Sequence, residues 1–162
     1  DGPDYILADS ETSGSIVLPA SMALGAHKLR VSLRNNDHSP VGSEAEVMFM
    51  CGTSALEVLE PAPGVSLSSG QEVSLSLAFE QFELAEPGSQ PNNFSGFGHY
   101  RIYLDAVTGD GYLYAGATEN PVFSLPEGIM PGEHVIGVSL RQNDGSALDP
   151  PVEVTLPFVL VP

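Results

Sequence analysis

The sequence predicts an all-β fold, and three of its features support this prediction. The 162 residues include 17 Gly and 14 Pro, spread along the chain and not gathered in one block, which is typical of many short strands joined by tight turns. Hydrophobic residues make up 42% of the chain, enough to bury a core. Apolar residues alternate with polar ones, and no stretch has the period of a long helix. Two antiparallel sheets packed face to face would bury such one-sided strands.

An internal repeat predicts the domain organisation. Residues 18–47 align without a gap to residues 125–154 at a constant offset of 107, and 13 of the 30 aligned positions are identical. The run Val-Ser-Leu-Arg recurs intact in both copies. The offset is close to the length of one immunoglobulin-type sandwich, about 100 residues. We therefore predict a complete immunoglobulin-like (Ig-like) β-sandwich over residues 53–162, preceded over residues 1–52 by the C-terminal half of a second repeat.

Alternation and turn residues delimit about seven strands in the complete copy. Glu72–Phe79 alternates most clearly between apolar and polar residues. The first predicted strand, Leu56–Leu59 with Val65–Leu67, is broken by a turn at residues 61–64. The others are Glu72–Phe79, His99–Leu104, Tyr112–Tyr114, Val122–Leu125, Val135–Leu140 and Val152–Val161.

The half repeat is expected to supply about four strands and to lack the three that would precede them. Apolar side chains such as Leu29, Val31 and Leu33 would then stay uncovered, and an isolated half-sandwich with bare edges tends to associate. We therefore expect self-association through the strand edges of residues 1–51, or completion of the half by upstream repeats. Packing of the half copy on the complete one is the less favoured alternative.

Two segments, GHYRIYLD and LPEGIMPGEHVIGVSLRQNDGSALDPPVEVTLPFVL, resemble secreted bacterial immunoglobulin-like domains. The shared features are a Pro-Gly-x-His run, an alternating strand, an Asn-Asp turn and a final strand after Pro-Pro. Some relatives carry further histidines near the positions that Arg101 and Gly145 occupy here. The resemblance implies a β-sandwich and an extracellular or cell-surface location, and it implies no particular chemistry.

Charge excludes two classes of partner. Five Lys and Arg face 21 Asp and Glu, giving a formal net charge of −16. Such a surface repels nucleic acid, whose binding requires neutralised phosphates, and it disfavours anionic membrane surfaces. No apolar stretch reaches the roughly 20 residues of a membrane span, so no membrane insertion is expected. The single cysteine, Cys51, cannot form an internal disulfide.

Two sets of side chains are candidate metal ligands. A hard oxygen set, suited to calcium, comprises Asp105, Asp110, Asp144 and Asp149. A softer set, suited to copper, comprises His27, His38, Met48, Met50 and Cys51. Asp and Asn also favour turns by bonding their own backbone, and two methionines on one strand face can simply pack. We expect no cofactor, with calcium or copper binding as the alternative.

The loop Glu86–Gly98 is the candidate partner-binding segment. It places Asn93, Phe94 and Phe97 among Gly, Ser and Pro, a mixture that can present aromatic contacts on a mobile frame. The alternative is that both phenylalanines fold back onto the core.

Catalytic motifs are absent from the sequence: it contains no GxSxG elbow, HExxH pair, phosphate-binding loop or dinucleotide fingerprint. We predict a non-enzymatic, extracellular structural or adhesive repeat protein, a surface or filament subunit. The alternative is a secreted module that binds a metal or another small ligand.

Overall fold

Short strands follow one another along the whole described chain. The computed structural model describes residues 7, 10, 13–19, 22–90 and 92–162. These residues form β1 (Gly25–Arg34), β2 (Pro40–Cys51), β3 (Ala55–Glu60), β4 (Val65–Ser68), β5 (Glu72–Ser74), β6 (Ser76–Glu80), β7 (Glu83–Leu84), β8 (Phe97–Leu104), β9 (Tyr114–Gly116), β10 (Val122–Ser124), β11 (Gly132–Gln142) and β12 (Glu153–Val161). None of the described residues is helical, so no helix among them could cross a membrane.

The larger sheet is built around two long antiparallel neighbours, β11 and β12. Its strand order is β4-β12-β11-β8-β7, and β9 also pairs with β8. β11 is antiparallel to both β12 and β8, whereas the short strands β4 and β7 run parallel to β12 and β8. Because β8 and β11 lie in the middle of this sheet, their side chains point alternately into the core and onto its outer face.

The opposite layer consists of two strand pairs, β3–β6 and β5–β10. Between β5 and β6, the Leu75 N–H donates to the Pro121 carbonyl oxygen at 3.0 Å. The predicted strand Glu72–Phe79 is therefore divided, because its first part pairs with β10 and its second part pairs with β3.

The core lies between the two layers. Alternate residues of the central strands fill it, each at most 2% exposed: Ile136, Val138 and Leu140 from β11, and Leu156, Phe158 and Leu160 from β12. Each such burial is worth roughly 1.5–3 kcal/mol. Tyr100 of β8 is buried among them and its hydroxyl donates to the Thr118 carbonyl oxygen at 2.8 Å. Burial raises the pKa of Tyr100 to about 12.

The strands differ from the prediction in number and in several of their bounds; β8, for example, begins at Phe97, inside the segment predicted as a loop. Residues 53–162 contain ten strands, β3 to β12, where about seven were predicted. In place of the strand predicted at Tyr112–Tyr114, the structure has β9 at Tyr114–Gly116. Tyr112 lies before this strand and packs edge-on against Tyr103, with ring centroids 6.4 Å apart.

The predicted half repeat contributes one hairpin. β1 and β2 are its two strands, where about four were expected for residues 1–52. The described residues 13–19 and 22–24 form no strand. Any strand predicted at residues 1–6, 8–9, 11–12 or 20–21 lies outside the described residues.

Candidate functional site

The β1–β2 hairpin has two faces of different chemistry. Residues paired across an antiparallel ladder point to the same side, so Val31 shares a side with its partner Ala45, and Leu29 with Val47. One face consequently carries no Asp, Glu, Lys or Arg side chain. We call it the apolar hairpin face; it comprises His27, Leu29, Val31, Leu33, Ala45, Val47 and Phe49.

The other face of the hairpin is an ion-pair ladder. Lys28 Nζ lies 2.9 Å from Glu46 Oε2, and Arg30 Nη2 lies 3.0 Å from Glu46 Oε1. Arg30 Nε also lies 3.4 Å from Glu44 Oε2, and Arg34 Nη2 lies 3.8 Å from Glu44 Oε1. Hydrogen bonds from Lys28 and then from Arg30 lower the pKa of Glu46. This ladder holds three of the five Lys and Arg side chains of the chain.

The local structure of the hairpin recurs at the offset of 107. The Asn35 N–H donates to the Ser39 carbonyl at 2.9 Å, and the Gln142 N–H donates to the Ser146 carbonyl at 2.9 Å. The residue that follows Asp37 or Asp144 in each turn has a positive φ, 64° for His38 and 88° for Gly145. Both copies therefore make the same turn, although His38 adopts a conformation that favours glycine.

A histidine before each turn is also held alike in the two copies. His27 Nε2 donates to the Ala23 carbonyl oxygen at 2.7 Å, and His134 Nε2 donates to the Met130 carbonyl oxygen at 2.8 Å. Each ring stacks on a phenylalanine of the partner strand, at centroid distances of 5.7 and 5.6 Å. The two histidines lie inside β1 and β11.

Burial separates the two copies. On the apolar hairpin face, Val31 is 55% exposed and Leu33 is 67% exposed. At the same repeat positions in β11, Val138 is 0% exposed and Leu140 is 1% exposed. The side chains of Leu75, Leu77 and Phe123 from the opposite layer belong to the cluster that covers β11. The uncovered hairpin face is thus the counterpart of a face that the fold buries elsewhere.

The predicted binding loop joins the hairpin to the sandwich. The Met50 N–H donates to the Ser95 carbonyl at 3.0 Å, and a Cβ on Gly96 would lie 2.1 Å from Met50 Cβ. Phe94 and Phe97 are partly buried and pack edge to face, with ring centroids 6.5 Å apart. They line a cavity of about 460 Å³. The loop therefore connects the hairpin to the sandwich and forms, with Phe94 and Phe97, a cavity that we call the aromatic groove.

Asn93, the third residue of the predicted partner site, braces this loop. Its Oδ1 accepts a hydrogen bond from the Asp144 N–H at 3.1 Å. This contact ties the loop to the turn after β11. Asn93 therefore has a structural contact, and partner binding through Asn93, Phe94 and Phe97 stays a prediction.

The four candidate calcium ligands are exposed, and two of them, Asp105 and Asp144, already accept hydrogen bonds from the fold. Asp105 Oδ2 accepts a hydrogen bond from His134 Nδ1 at 2.8 Å, and Asp105 Oδ1 accepts one from the Val135 N–H at 3.0 Å. Asp144 Oδ1 accepts a hydrogen bond from the Ser146 N–H at 2.9 Å. Asp110 and Asp149 are exposed. Within the described ranges, no three His, Cys, Asp or Glu residues come together in a way that could hold a metal ion.

The candidate copper ligands are likewise dispersed. His27 stacks on Phe49, His38 forms the exposed turn, and Met50 packs against the binding loop. Met48 lines the aromatic groove, and Cys51 is a partly buried free thiol.

Sequence reasoning missed a polar layer on the outer face of the larger sheet. It comprises His99, Arg101 and Tyr103 of β8 with Ser139 and Arg141 of β11, which face each other across the ladder. His99, Tyr103 and Ser139 are each 1% exposed. The sequence contains one signal for this layer. Residues 53–162 include 14 Asp and Glu but only two Lys or Arg, namely Arg101 and Arg141, and each of these lies in a strand at a position that faces the same side of the sheet.

Comparisons with known proteins add little beyond the strand pairing. No protein-family model matches the chain, and no curated protein matches it significantly. A solved structure of fibronectin(III)-like modules of Clostridium thermocellum CbhA is similar, with a TM-score of 0.44 and 10% sequence identity. The match covers 86% of this chain and 64% of the CbhA chain, so this chain spans less than two thirds of the length of the CbhA chain. By its own strand pairing, the described chain is an all-β protein, an Ig-like antiparallel β-sandwich that carries an additional hairpin.

Proposed function

We propose that this chain is a non-enzymatic, extracellular structural or adhesive repeat module that associates with a second copy of itself through the apolar hairpin face. The single observation that carries the proposal is the contrast between the exposed Val31 and Leu33 and their buried counterparts Val138 and Leu140. The resemblance to secreted bacterial immunoglobulin-like domains supports the extracellular location.

Charge favours a second copy as the occupant of this face. The chain carries a formal net charge of −16, so most contacts between two copies bring like charges together. The apolar hairpin face carries no Lys, Arg, Asp or Glu side chain, because those of the two strands all lie on the opposite face of the hairpin. Two such faces can meet without burying an unpaired charge, which would cost several kcal/mol.

Packing in the sandwich shows that a face of this kind can be buried. The strands β11 and β12 pack their equivalent side chains against another layer of strands within the same chain. Sheets packed face to face in this way lie about 10 Å apart. Two hairpins related by a twofold axis would form the same kind of two-layer contact, with each face covering the other.

The test is the mass of the protein in solution as a function of its concentration, measured by light scattering after size-exclusion chromatography. We expect the 17.0 kDa chain to form a species of twice this mass as its concentration rises. Val31→Lys places a charge in the middle of the apolar hairpin face and should weaken the association at least about 100-fold.

Ser32→Lys is the matched control, because it adds the same charge to the next residue, on the opposite face beside Glu44. We expect this variant to dimerise like the unmodified chain. A chain that stays monomeric up to millimolar concentration would overturn the proposal and leave an upstream repeat as the occupant. Equal weakening by both substitutions would also contradict it.

A further inference from the structure

A second small cavity opens on the outer polar layer. It measures about 200 Å³ and is lined by Pro87, Gly88, His99, Arg101, Tyr112, Ala115, Asn143, Asp144 and Gly145. Three separate loops and two strands thus converge on it, and its lining includes both a histidine and an arginine. It is smaller than the 300–1,000 Å³ typical of pockets for drug-sized ligands.

Arg141, which lies beneath this region, is already used by the fold. Its Nη2 donates to the Tyr103 hydroxyl at 3.0 Å and to the Val107 carbonyl at 3.3 Å. It therefore fastens the loop that follows β8 onto the sheet. Both of these hydrogen bonds come from Nη2, whereas the Arg141 Nε is buried without an acceptor among the described residues.

Arg101 has no such partner in the part of the chain that the structure describes. Its guanidinium stacks over the Tyr112 ring at 4.6 Å from the centroid, and its Nε is buried without a hydrogen-bond acceptor. Gly145 leaves the space that the guanidinium fills, because a Cβ there would lie 2.5 Å from Arg101 Nη2. The fork is thus held in position by stacking, with its hydrogen bonds unused.

His99 supplies the second unused polar group. The residue is only 1% exposed, and its Nδ1 is buried with no hydrogen-bond partner among the described residues. Buried polar atoms are normally hydrogen-bonded, and leaving one unpaired destabilises the fold. His99 and Arg101 therefore place two unpaired polar groups around one small space, and His99 Nδ1 can donate to a ligand whenever it carries the proton.

The nearby acid does not neutralise Arg101. Asp144 lines the cavity, yet its carboxylate accepts hydrogen bonds from Ser146, which lower its pKa, and it forms no ion pair with Arg101. With 14 acids against two arginines in residues 53–162, an arginine without an ion pair stands out. We propose that the cavity formed by His99, Arg101 and Tyr112 binds a carboxylate, either from a free small carboxylic acid or from an acidic side chain of another polypeptide.

The chemistry of the cavity selects a carboxylate among anions. A planar guanidinium fork matches the two oxygens of a carboxylate, and stacking on Tyr112 fixes the plane of the fork. Asp144 at the rim repels a doubly charged phosphate about twice as strongly as a singly charged carboxylate. The cavity of about 200 Å³ has room only for a carboxylate that carries a short carbon chain.

Protonation of His99 should strengthen binding. Burial, followed by the charges of Arg101 and Arg141, lowers the pKa of His99, and Asp144 opposes this shift. At neutral pH the ring is therefore uncharged, and Arg101 is the cation at the site. A bound carboxylate would favour the protonated ring, so affinity should rise as the pH falls below the ordinary histidine value of 6.5.

The experiment is a titration of the isotope-labelled chain followed by nuclear magnetic resonance, with sodium acetate added against sodium chloride at equal ionic strength. We expect saturable shifts of the Arg101 Nε–H and the Gly145 amide with acetate only. Arg101→Gln should weaken binding at least tenfold, and Arg30→Gln on the hairpin should leave it unchanged. Asp144→Asn should tighten binding several-fold, a gain that misfolding cannot produce.

Further arms separate the carboxylate sources and test the selectivity. Tighter binding of acetate than of a capped Gly-Glu-Gly peptide would support a free acid, and the reverse order would support a side chain. Shifts at the site on concentrating the protein alone would support an acidic side chain of a second copy. Absence of a saturable shift with either probe, equal shifts in Arg101→Gln, or phosphate binding as tightly as acetate would overturn the proposal.

Discussion

The hairpin β1–β2 and the strand pair β11–β12 share one local sequence pattern and have opposite surroundings. Both place a histidine against a preceding carbonyl, and both make the same turn closed by an aspartate. Val138 and Leu140, which are buried beneath an opposite layer in β11, have exposed counterparts in β1, Val31 and Leu33. Local sequence therefore determines strand and turn, whereas burial depends on which other strands are present to cover the face.

The largest expected effect comes from truncating equivalent leucines in the two copies. Leu140→Ala should lower the free energy of unfolding by about 2–5 kcal/mol, because it opens a cavity in the core. Leu33→Ala should change it by less than about 0.5 kcal/mol, because Leu33 is 67% exposed. Urea denaturation followed by circular dichroism, at a concentration where the chain is monomeric, measures both.

The two leucine variants test whether burial differs between the two copies, because their losses of unfolding free energy should differ. A large loss of stability in Leu33→Ala would mean that the hairpin face is covered within the monomer. Its dependence on protein concentration would separate that cause from association with a second copy, since only association depends on concentration.

An intermediate effect is expected where the two outer faces differ. Gly137 occupies the repeat position of Arg30, and a Cβ on it would lie 1.9 Å from the backbone oxygen of Ala106. Gly137→Ala should therefore displace the loop that covers the outer polar layer and destabilise the fold by about 1–3 kcal/mol. Arg30→Ala on the open hairpin is the control and should have little effect. Equal stabilities of the two variants, measured by thermal unfolding, would contradict the close packing of this loop.

The smallest effect concerns the pH dependence contributed by His134. Hydrogen bonds to Asp105 and to the Met130 carbonyl raise the pKa of His134. Because the pKa of His134 is higher in the folded state than in the unfolded state, His134 stabilises the fold fully below pH 6.5. This stabilisation is lost as the pH rises through the folded-state pKa. Although burial opposes it, hydrogen bonds from His134 and Val135 lower the pKa of Asp105 below 3.8. The contribution of Asp105 is therefore present above 3.8 and is lost as the pH falls through its folded-state pKa.

Asp105→Asn should shift the titration midpoint of the His134 ring protons downwards, as followed by nuclear magnetic resonance. The stability difference from the unmodified chain should be largest between pH 3.8 and pH 6.5 and should shrink at higher pH. An unchanged His134 midpoint would show that Asp105 does not hold the proton on this ring.

Much of the fold could be predicted because its signals are local. Alternation located β11 and β12, and the repeat indicated that two distant segments form the same strand and turn. The division of Glu72–Phe79 could not be predicted, because it depends on which distant strand pairs with each part. Sequence spacing alone could not bring His99, Arg101 and Tyr112 together either, since the two residues of β8 meet Tyr112 only where a later loop folds over the sheet.

The ion-pair ladder on the back of the hairpin limits how far an assembly can grow. Once two apolar hairpin faces have closed on each other, the surfaces turned outwards carry Lys28, Arg30, Glu44 and Glu46. Open-ended growth of the fibre kind needs a dry, uncharged sheet surface for the next layer, and charges on exposed strands discourage such addition. Because the hairpin has one apolar face and one charged face, its association should stop at two copies.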